Sequence, residues 1–524
     1  MTRRNILDIN NLTLEQKIGQ MFLLPIEGTV LSPDTKQHLL KHKIGNFIYF
    51  ARNLTDYKSI RNLSDSLQQT AKESSNIPAF ISADQEGGMV TRAYSGATHY
   101  PSNMAITAAG MGHAMEQMGE MVARELKGLG INLNHAPVLD VNNNPNNPVI
   151  GIRSYSDKPE IVAAMATGYI RGLQKCGVLA NAKHFPGHGD THKDSHLALP
   201  SIEHDMERLN QVELVPFKAA IADCADSVMT AHIIFKAIDS ERPATLSPAV
   251  LTGLLRNRLG FEGLILTDSM SMKAIQDHYG LEKGCIMAIN AGVDILCLCA
   301  EREGQASCYN AVLGAVKSGE IPMDKINTAV ERILKYKAIY AKCDNAPPIE
   351  KYPAHESLSD KISAKSITLV KGNEELLPFK HGKSVFVISP PPSTANIADD
   401  TIVKQELFCE KAAALLGCGY AEITVDPGAD EIAAVIKKAT PDVILYASYN
   451  AIQFTGQIDL FNALKAAGKK VVLVSLRVPY DILKMQDADA YIAAYEYTNR
   501  SVNNAIKAVM GEIPFMGKLP IKLC

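Results

Sequence analysis

Gly263-Leu-Ile-Leu-Thr-Asp268 is an aliphatic run that opens on glycine and stops abruptly at a carboxylate, with Ser269, Met270, Ser271 and Met272 behind it. A short apolar run without alternation reads as a strand covered on both faces, as the strands of parallel sheets are. The same form recurs along the chain. Ile18–Ile26, Ile44–Phe50, Pro78–Asp84, Ile131–Asp140, Val178–His184, Ser227–His232 and Val293–Cys299 complete a set of eight, separated by longer helical patterns out to Ala341. Eight strands alternating with helices predict a (β/α)8 barrel of the TIM type. Asp84, Asp140, Lys183-His184, His232 and Asp268 stand at the ends of their runs. In such a barrel those ends converge on one face, where chemistry is placed. A turn or cap explains any single aspartate there equally well, but not the recurrence at successive strands.

The length of 524 residues exceeds what one hydrophobic core serves, so a second domain is expected. Pro347, Pro348 and Pro353 fall in a polar stretch where the chain leaves the barrel. The expected division is a catalytic barrel over 1–341, a linker over 342–356 and a smaller domain over 357–524. In that last part Ser366–Val370, Ser384–Ile388, Ala421–Val425, Val443–Tyr446, Lys470–Val474 and Tyr491–Ala494 alternate with helical stretches. This predicts an α/β layered sandwich with a largely parallel sheet. No Gly-x-Gly-x-x-Gly follows its strands, so no dinucleotide site is expected. Near the start, Thr13-Leu-Glu-Gln16 reads as a capping box opening a helix.

Composition removes several classes of function. The formal charge is −3 and no long Lys/Arg run occurs, so nucleic acid is not an expected partner. No apolar run reaches the length of a membrane span. The opening Met-Thr-Arg-Arg-Asn-Ile-Leu-Asp-Ile-Asn has no apolar region behind its arginines; no signal peptide is read there, and a cytoplasmic location is expected. Ten cysteines occur without a framework, Cys297 and Cys299 alternating within a strand-like run. Reduced, mostly buried thiols are the reading, and no Cys-x-x-Cys pair suggests zinc or redox chemistry.

The densest stretch runs from Lys183 to His196, Lys-His-Phe-Pro-Gly-His-Gly-Asp-Thr-His-Lys-Asp-Ser-His. His184, His188, His192 and His196 recur every fourth residue, which on a helix would resemble a zinc site. Pro186, Gly187 and Gly189 make a continuous helix untenable, so a long loop after the fifth strand is expected, and such loops carry function. A solvated polar loop whose histidines do nothing is the alternative, disfavoured by the density of ionisable groups. Asp194, two residues before His196, can fix that imidazole's tautomer and favour its protonated form. The pair could donate and later accept a proton near neutral pH. Asp268 at its strand end suits attack on an anomeric carbon; Met270 and Met272 read as core filling. Asp84, with Arg92 and Lys183, could hold sugar hydroxyls, and Arg153 adds a forked donor. Glu86 is the rival carboxylate.

These segments resemble the family 3 glycoside hydrolases and, within them, the bacterial β-N-acetylhexosaminidase branch. The likeness rests on Lys183 to His196 without a gap, on Ala83-Asp-Gln-Glu-Gly-Gly88 with Arg92, on Ile150-Gly-x-Arg-Ser154, on Met229-Thr-Ala-His-Ile233 and on Thr267-Asp-Ser-Met270. Glu512-Ile-Pro-Phe-Met-Gly-Lys-Leu-Pro520 extends it almost to the end. The resemblance implies retaining release of terminal β-linked N-acetylglucosamine through a glycosyl-aspartate, with Asp268 as nucleophile and His196 as acid/base partnered by Asp194. It also implies that Asp84, Arg92, Arg153, Lys183, His184 and His232 hold the sugar, that no metal or organic cofactor is needed, and that cell-wall muropeptides or chitin-type oligosaccharides are substrates. Met89 and Lys158 depart from the branch's usual residues; both are expected at the rim of the site, so the branch's aglycone preference is not carried over. A phosphorylase stays open, because an imidazole repels phosphate less than a second carboxylate would. So do a metal-dependent hydrolase and a non-catalytic sugar-binding protein. Asp430-Glu431, the adjacent acids that a substrate-assisted enzyme would pair, read as a solvated helix face.

Overall fold

A computed structural model describes residues 9–192, 199–223, 225–342, 352–379, 384–393, 399 and 406–523. Its first part is an eight-stranded parallel barrel. The strands are β1 (Phe22–Pro25), β2 (Asn46–Tyr49), β3 (Phe80–Ala83), β4 (Leu133–Asn134), β5 (Leu179–Phe185), β6 (Ser227–Thr230), β7 (Leu264–Thr267) and β8 (Leu296–Cys297). Each pairs with the next in parallel, β8 returns to β1 through Phe22↔Leu296, and a bridge between Leu266 and Ile295 draws β7 and β8 together. At least one helix follows each strand, from Pro33–Lys41 after β1 to Arg302–Ser318 and Met323–Tyr340 after β8. Every residue of β7 is buried, as its unbroken aliphatic run requires.

Two runs are shorter than the sequence suggests. Ile18 belongs to a helix, Leu14–Gln20, that the Thr13/Gln16 capping box opens, and β1 starts only at Phe22. The run Ile131–Asp140 yields a two-residue strand because Pro137 has no amide to give the ladder; Val138 rejoins β5 through a bridge to Lys183.

The second domain has one six-stranded sheet. Its strands are β9 (Thr368–Lys371), β10 (Val385–Ser389), β11 (Gly419–Glu422), β12 (Val443–Ser448), β13 (Lys470–Ser475) and β14 (Ala490–Ala493), in the order β9-β14-β13-β12-β10-β11. All pairings are parallel except the edge pair β9–β14. Val385, Val387, Leu445, Ala447, Val472 and Val474 face one apolar layer with helices Phe408–Leu416 and Asn499–Val509. Phe386, Ile388, Ile444, Tyr446, Val471 and Leu473 face the other, with Ala429–Lys438 and Gly456–Ala466. This strict alternation makes the domain a three-layer sandwich. Asp430 and Glu431 lie in the first turn of an exposed helix, where Glu431 accepts hydrogen bonds from Thr424.

Most of the expected linker falls on residues 343–351, outside those described. Pro353 to Glu356 already belong to the helix Pro353–Ser366, with proline in its first turn. The two domains share a buried cluster of Met89, Met104 and Ile152 with Val478, Tyr480 and Tyr495. Met89, expected at a binding rim, is a 4% exposed member of it. Polar pins reinforce the contact: the Ser102 amide donates to Glu496 at 2.7 Å, Asn142 Nδ2 to the Tyr480 hydroxyl at 3.0 Å, and the Ser156 hydroxyl to the Pro520 carbonyl at 2.5 Å.

Candidate active site

A cleft of about 370 Å³ opens at the carboxyl ends of the barrel strands. Asp84, Arg92, Arg153, Lys183, His184 and Asp268, six of the nine site residues expected from sequence, line it. His232 does not. It lies buried behind the cleft, its Nδ1 2.8 Å from the Thr245 hydroxyl and its Nε2 2.9 Å from the Ser269 carbonyl, so it braces the residue after Asp268. Asp194 and His196 fall outside the described residues.

The barrel delivers each side chain from a strand end. Asp268 follows β7 directly, and its Oδ1 accepts the Ser269 amide at 2.7 Å. Asp84 follows β3. Lys183, within β5, donates to Asp84 Oδ1 and to Glu86 Oε1, each at 2.7 Å. Arg153 grips Glu86 with a forked pair, Nε to Oε2 at 2.9 Å and Nη2 to Oε1 at 2.8 Å. Arg92 Nη2 lies 3.6 Å from Asp84.

The cluster alternates three cations with two carboxylates, and that arrangement sets its ionisation. Burial alone would push the Asp84 carboxyl up, but Lys183 and Arg92 outweigh it and hold Asp84 well below the usual carboxylate range. At Glu86 burial is likewise overcome, by Arg153 and then Lys183, leaving the carboxyl at about 2. Glu86 is therefore a permanent anion whose lone pairs are committed to two cations. It is absent from the cleft lining, and its place is behind Arg153 and Lys183.

Three contributors went unassigned in the sequence. Asp140, fully buried, accepts the amides of His184 at 3.1 Å and His188 at 2.7 Å, and its Oδ2 lies 2.7 Å from His184 Nδ1. That contact puts the His184 proton on Nδ1 and turns Nε2 away from Asp140. His188 lines the cleft; burial first, then the neighbouring His184, lowers it to about 4, so it is neutral. His135 is lowered to about 4 by burial, although Asp84 opposes this. The Asn181 amide at Nδ1 and the Ser82 hydroxyl at Nε2 fix the tautomer of that neutral ring. Asp140 carried a signal in the sequence as a strand-end acid and His188 as one of the four regularly spaced histidines; His135 carried none.

Phe50, Met229, Met272, Cys297 and Cys299 supply apolar wall. Met270 is core, as expected, but Met272 faces the cleft.

The described half of the loop after β5 is held closely. Asn147 Nδ2 donates to the carbonyls of His188 at 2.8 Å and Gly189 at 2.9 Å. A side chain at position 189 would meet the Val141 carbonyl at 1.7 Å, so glycine is required by close approach. His192 Nδ1 is 3.0 Å from Asn144 Nδ2. The four-residue histidine spacing thus makes no metal stripe among the described residues. One group there has metal-ligand geometry, Asp190, His204 and Glu213, with ligand atoms within 4.8 Å of one another. It lies outside the cleft lining, and Arg208 already supplies positive charge at 3.2 Å from Glu213 and 3.9 Å from Asp190.

Comparison with known proteins agrees with this fold. The family model described as "Glycosyl hydrolase family 3 N terminal domain" matches residues 13–336. Beta-hexosaminidase A of Pseudoalteromonas piscicida is 32% identical over 555 residues, covering 94% of this chain and 91% of the relative. A family 3 β-N-acetylglucosaminidase from Paenibacillus sp. str. FPU-7 superimposes with a TM-score of 0.91 at 38% identity, over 98% of this chain and 99% of that one. A β-glucoside phosphorylase, BglX, superimposes with a TM-score of 0.82 at 25% identity, over 98% and 94%.

Proposed function

The chain belongs to glycosyl hydrolase family 3, and on that premise we propose that it is a retaining glycosidase releasing terminal, non-reducing β-linked N-acetylglucosamine. The observation that carries the reading is the position of Asp268. Its carboxylate ends β7 in the same cleft as Asp84, Arg92, Arg153, Lys183 and His184, so an anionic nucleophile stands beside a cluster built to hold a polyol. Asp84 accepts sugar hydroxyl hydrogen bonds, while Lys183, Arg92 and Arg153 donate others; their mutual ion pairs fix these groups before substrate arrives. His184 reaches the sugar through Nε2, and His232 supports the Asp268-Ser269 segment from behind.

In the first step an Asp268 oxygen attacks the anomeric carbon and the bond to the leaving oxygen breaks, as protonated His196 gives that oxygen its proton. In the second, neutral His196 takes a proton from water, which attacks the same carbon and frees Asp268. Asp194 holds the imidazole in the tautomer both steps need. No step calls for a metal or organic cofactor. The barrel over 1–341 carries this chemistry, and the domain over 357–524 braces the loop bearing Arg153. Muropeptides or chitin-type oligosaccharides are the proposed substrates, in a recycling role. A reducing, cytoplasmic setting fits seven described cysteines that are all free, and among the described residues no helix is long and apolar enough to cross a membrane.

The test is turnover of a chromogenic β-N-acetylglucosaminide. His196→Ala loses roughly 10²- to 10⁴-fold in kcat, and Asp268→Asn loses more. Near-normal turnover by either variant refutes the assignment. The similarity to a β-glucoside phosphorylase keeps a second reading in play. Assay in phosphate separates the two: N-acetylglucosamine 1-phosphate as the main product makes the enzyme a phosphorylase.

A further inference from the structure

Asp190 and His204 stand on the outgoing and returning limbs of the loop after β5, on either side of residues 193–198. They meet directly: His204 Nε2 donates to Asp190 Oδ2 at 2.6 Å, across fourteen positions of sequence. Each limb also has its own anchor on the barrel. Asn147 holds the outgoing limb at His188 and Gly189, and Gly187 packs so closely on Glu213 that a side chain there would come within 2.9 Å. The returning limb forms a short parallel ladder, Ser201–Ile202 with Ile234–Phe235, and the Ile234 amide donates to the Pro200 carbonyl at 3.0 Å. That ladder begins two residues after His232, which braces the residue behind Asp268. Arg208 bridges the acids beside the contact, 3.9 Å from Asp190 and 3.2 Å from Glu213.

We propose that the Asp190–His204 contact, backed by Arg208 and Glu213, is a clasp that sets one limb against the other, and that Asp190 and His204 are positioning residues for protonation of the leaving oxygen. The proposal rests on the reading of His196 as the acid/base. Tying the two ends of a loop together leaves it fewer conformations. A general acid must come within hydrogen-bond reach of the oxygen it protonates, and a displacement of about 1 Å costs up to roughly 10²-fold in rate. Because each limb keeps its own anchor, untying the clasp spares the fold. What it removes is the register between the limb held beside Arg153 and the limb held beside Asp268.

The test uses the full chain and compares kcat/KM, which reports formation of the glycosyl-enzyme, on two β-N-acetylglucosaminides. The methyl glycoside has a leaving oxygen that needs a proton; the dinitrophenyl glycoside does not. Asp190→Ala and His204→Ala each lose roughly tenfold on the methyl glycoside and less than about twofold on the dinitrophenyl one. The double variant is no worse than either single one, as for two partners in one contact. His204→Gln, which keeps a donor near the place of Nε2, recovers most of the loss. Equal losses on both glycosides, or additive losses in the double variant, overturn the clasp. So does a methyl-glycoside rate that falls on treatment with a chelator, which would put an ion among Asp190, His204 and Glu213. His196→Ala in the same assay separates the two readings. If it depends on the leaving group and the clasp variants do not, the clasp fails and the acid/base reading stands. If the clasp variants show that dependence and His196→Ala does not, the acid/base reading fails and the clasp positions another proton donor.

Discussion

Replacing Glu86 by glutamine removes the charge that holds Arg153 and Lys183 in place, and the structure sets the size of the effect. Glu86 is 2% exposed in its side chain and accepts two bonds from Arg153 and one from Lys183. Its carboxyl is held at about 2 against an ordinary 4.5. At 1.36 kcal/mol per pKa unit, the ionised form contributes on the order of 3 kcal/mol to folding, within the roughly 3–5 kcal/mol expected when a buried pair loses one partner. Because the folded carboxyl is the stronger acid, this contribution is present above pH 4.5 and disappears as pH falls through 4.5 toward 2. Glu86→Gln should therefore lose about 3 kcal/mol in urea unfolding at pH 7, with a gap that stays flat from pH 5 to 8 and narrows only below pH 4.5. The KM for a β-N-acetylglucosaminide should rise as well, since Arg153 and Lys183 lose their common support. A variant as stable as the parent at pH 7, with unchanged KM, would refute the view of Glu86 as the anchor of the cluster.

Burial raises the Glu496 carboxyl, which pins Ser102 across the domain contact, to about 7; a group that binds its proton more tightly when folded loses stability for the protein as pH rises from 4.5 through 7. Glu496→Gln should thus melt about 3 °C above the parent at pH 8, with the difference closing toward pH 4.5, and scanning calorimetry at the two pH values would expose a pH-independent difference as a contradiction. Gly189→Ala puts a methyl against the Val141 carbonyl, 1.7 Å away before relaxation, and so displaces the loop that leads to His196. It should lower kcat/KM at least roughly tenfold with little change in melting temperature, and unaltered kinetics would count against that placement.

How much of this could be read from residues alone depends on how local each constraint is. Strand β7 was legible because burial on both faces writes itself as three successive aliphatics, and the capping box because its two bonds span three residues. Strand β4 was overdrawn because the pattern counts apolar residues and not amide donors, and Pro137 has none to give. Glu86 could be recognised as an acid beside glycines, but its function depends on Arg153, 67 residues away. Asp140 is similar: its three contacts with His184 and His188 join segments more than forty residues apart. Met89 and Met272 were misplaced for a related reason. An apolar side chain after a strand can face a core, a partner domain or a sugar with the same local sequence.

That last ambiguity bears on why the catalytic barrel carries a second domain. Arg153 sits in the short turn Gly151–Arg153, which no barrel strand contains. From below it is held by Glu86. From outside, Val478 lies where a side chain on Gly151 would come within 3.0 Å, and Ile152 packs in the cluster that Val478, Tyr480 and Tyr495 complete. Asn142, in the same β4 loop, exchanges hydrogen bonds with the Tyr480 hydroxyl. A guanidinium that is to hold a sugar, as proposed for Arg153, must be fixed in direction before the sugar arrives, or binding energy goes into ordering it. An ion pair fixes its head but leaves the backbone of a loop free to shift. Packing from the second domain removes that freedom, so that domain would support the proposed site by immobilising the chain on which Arg153 rides.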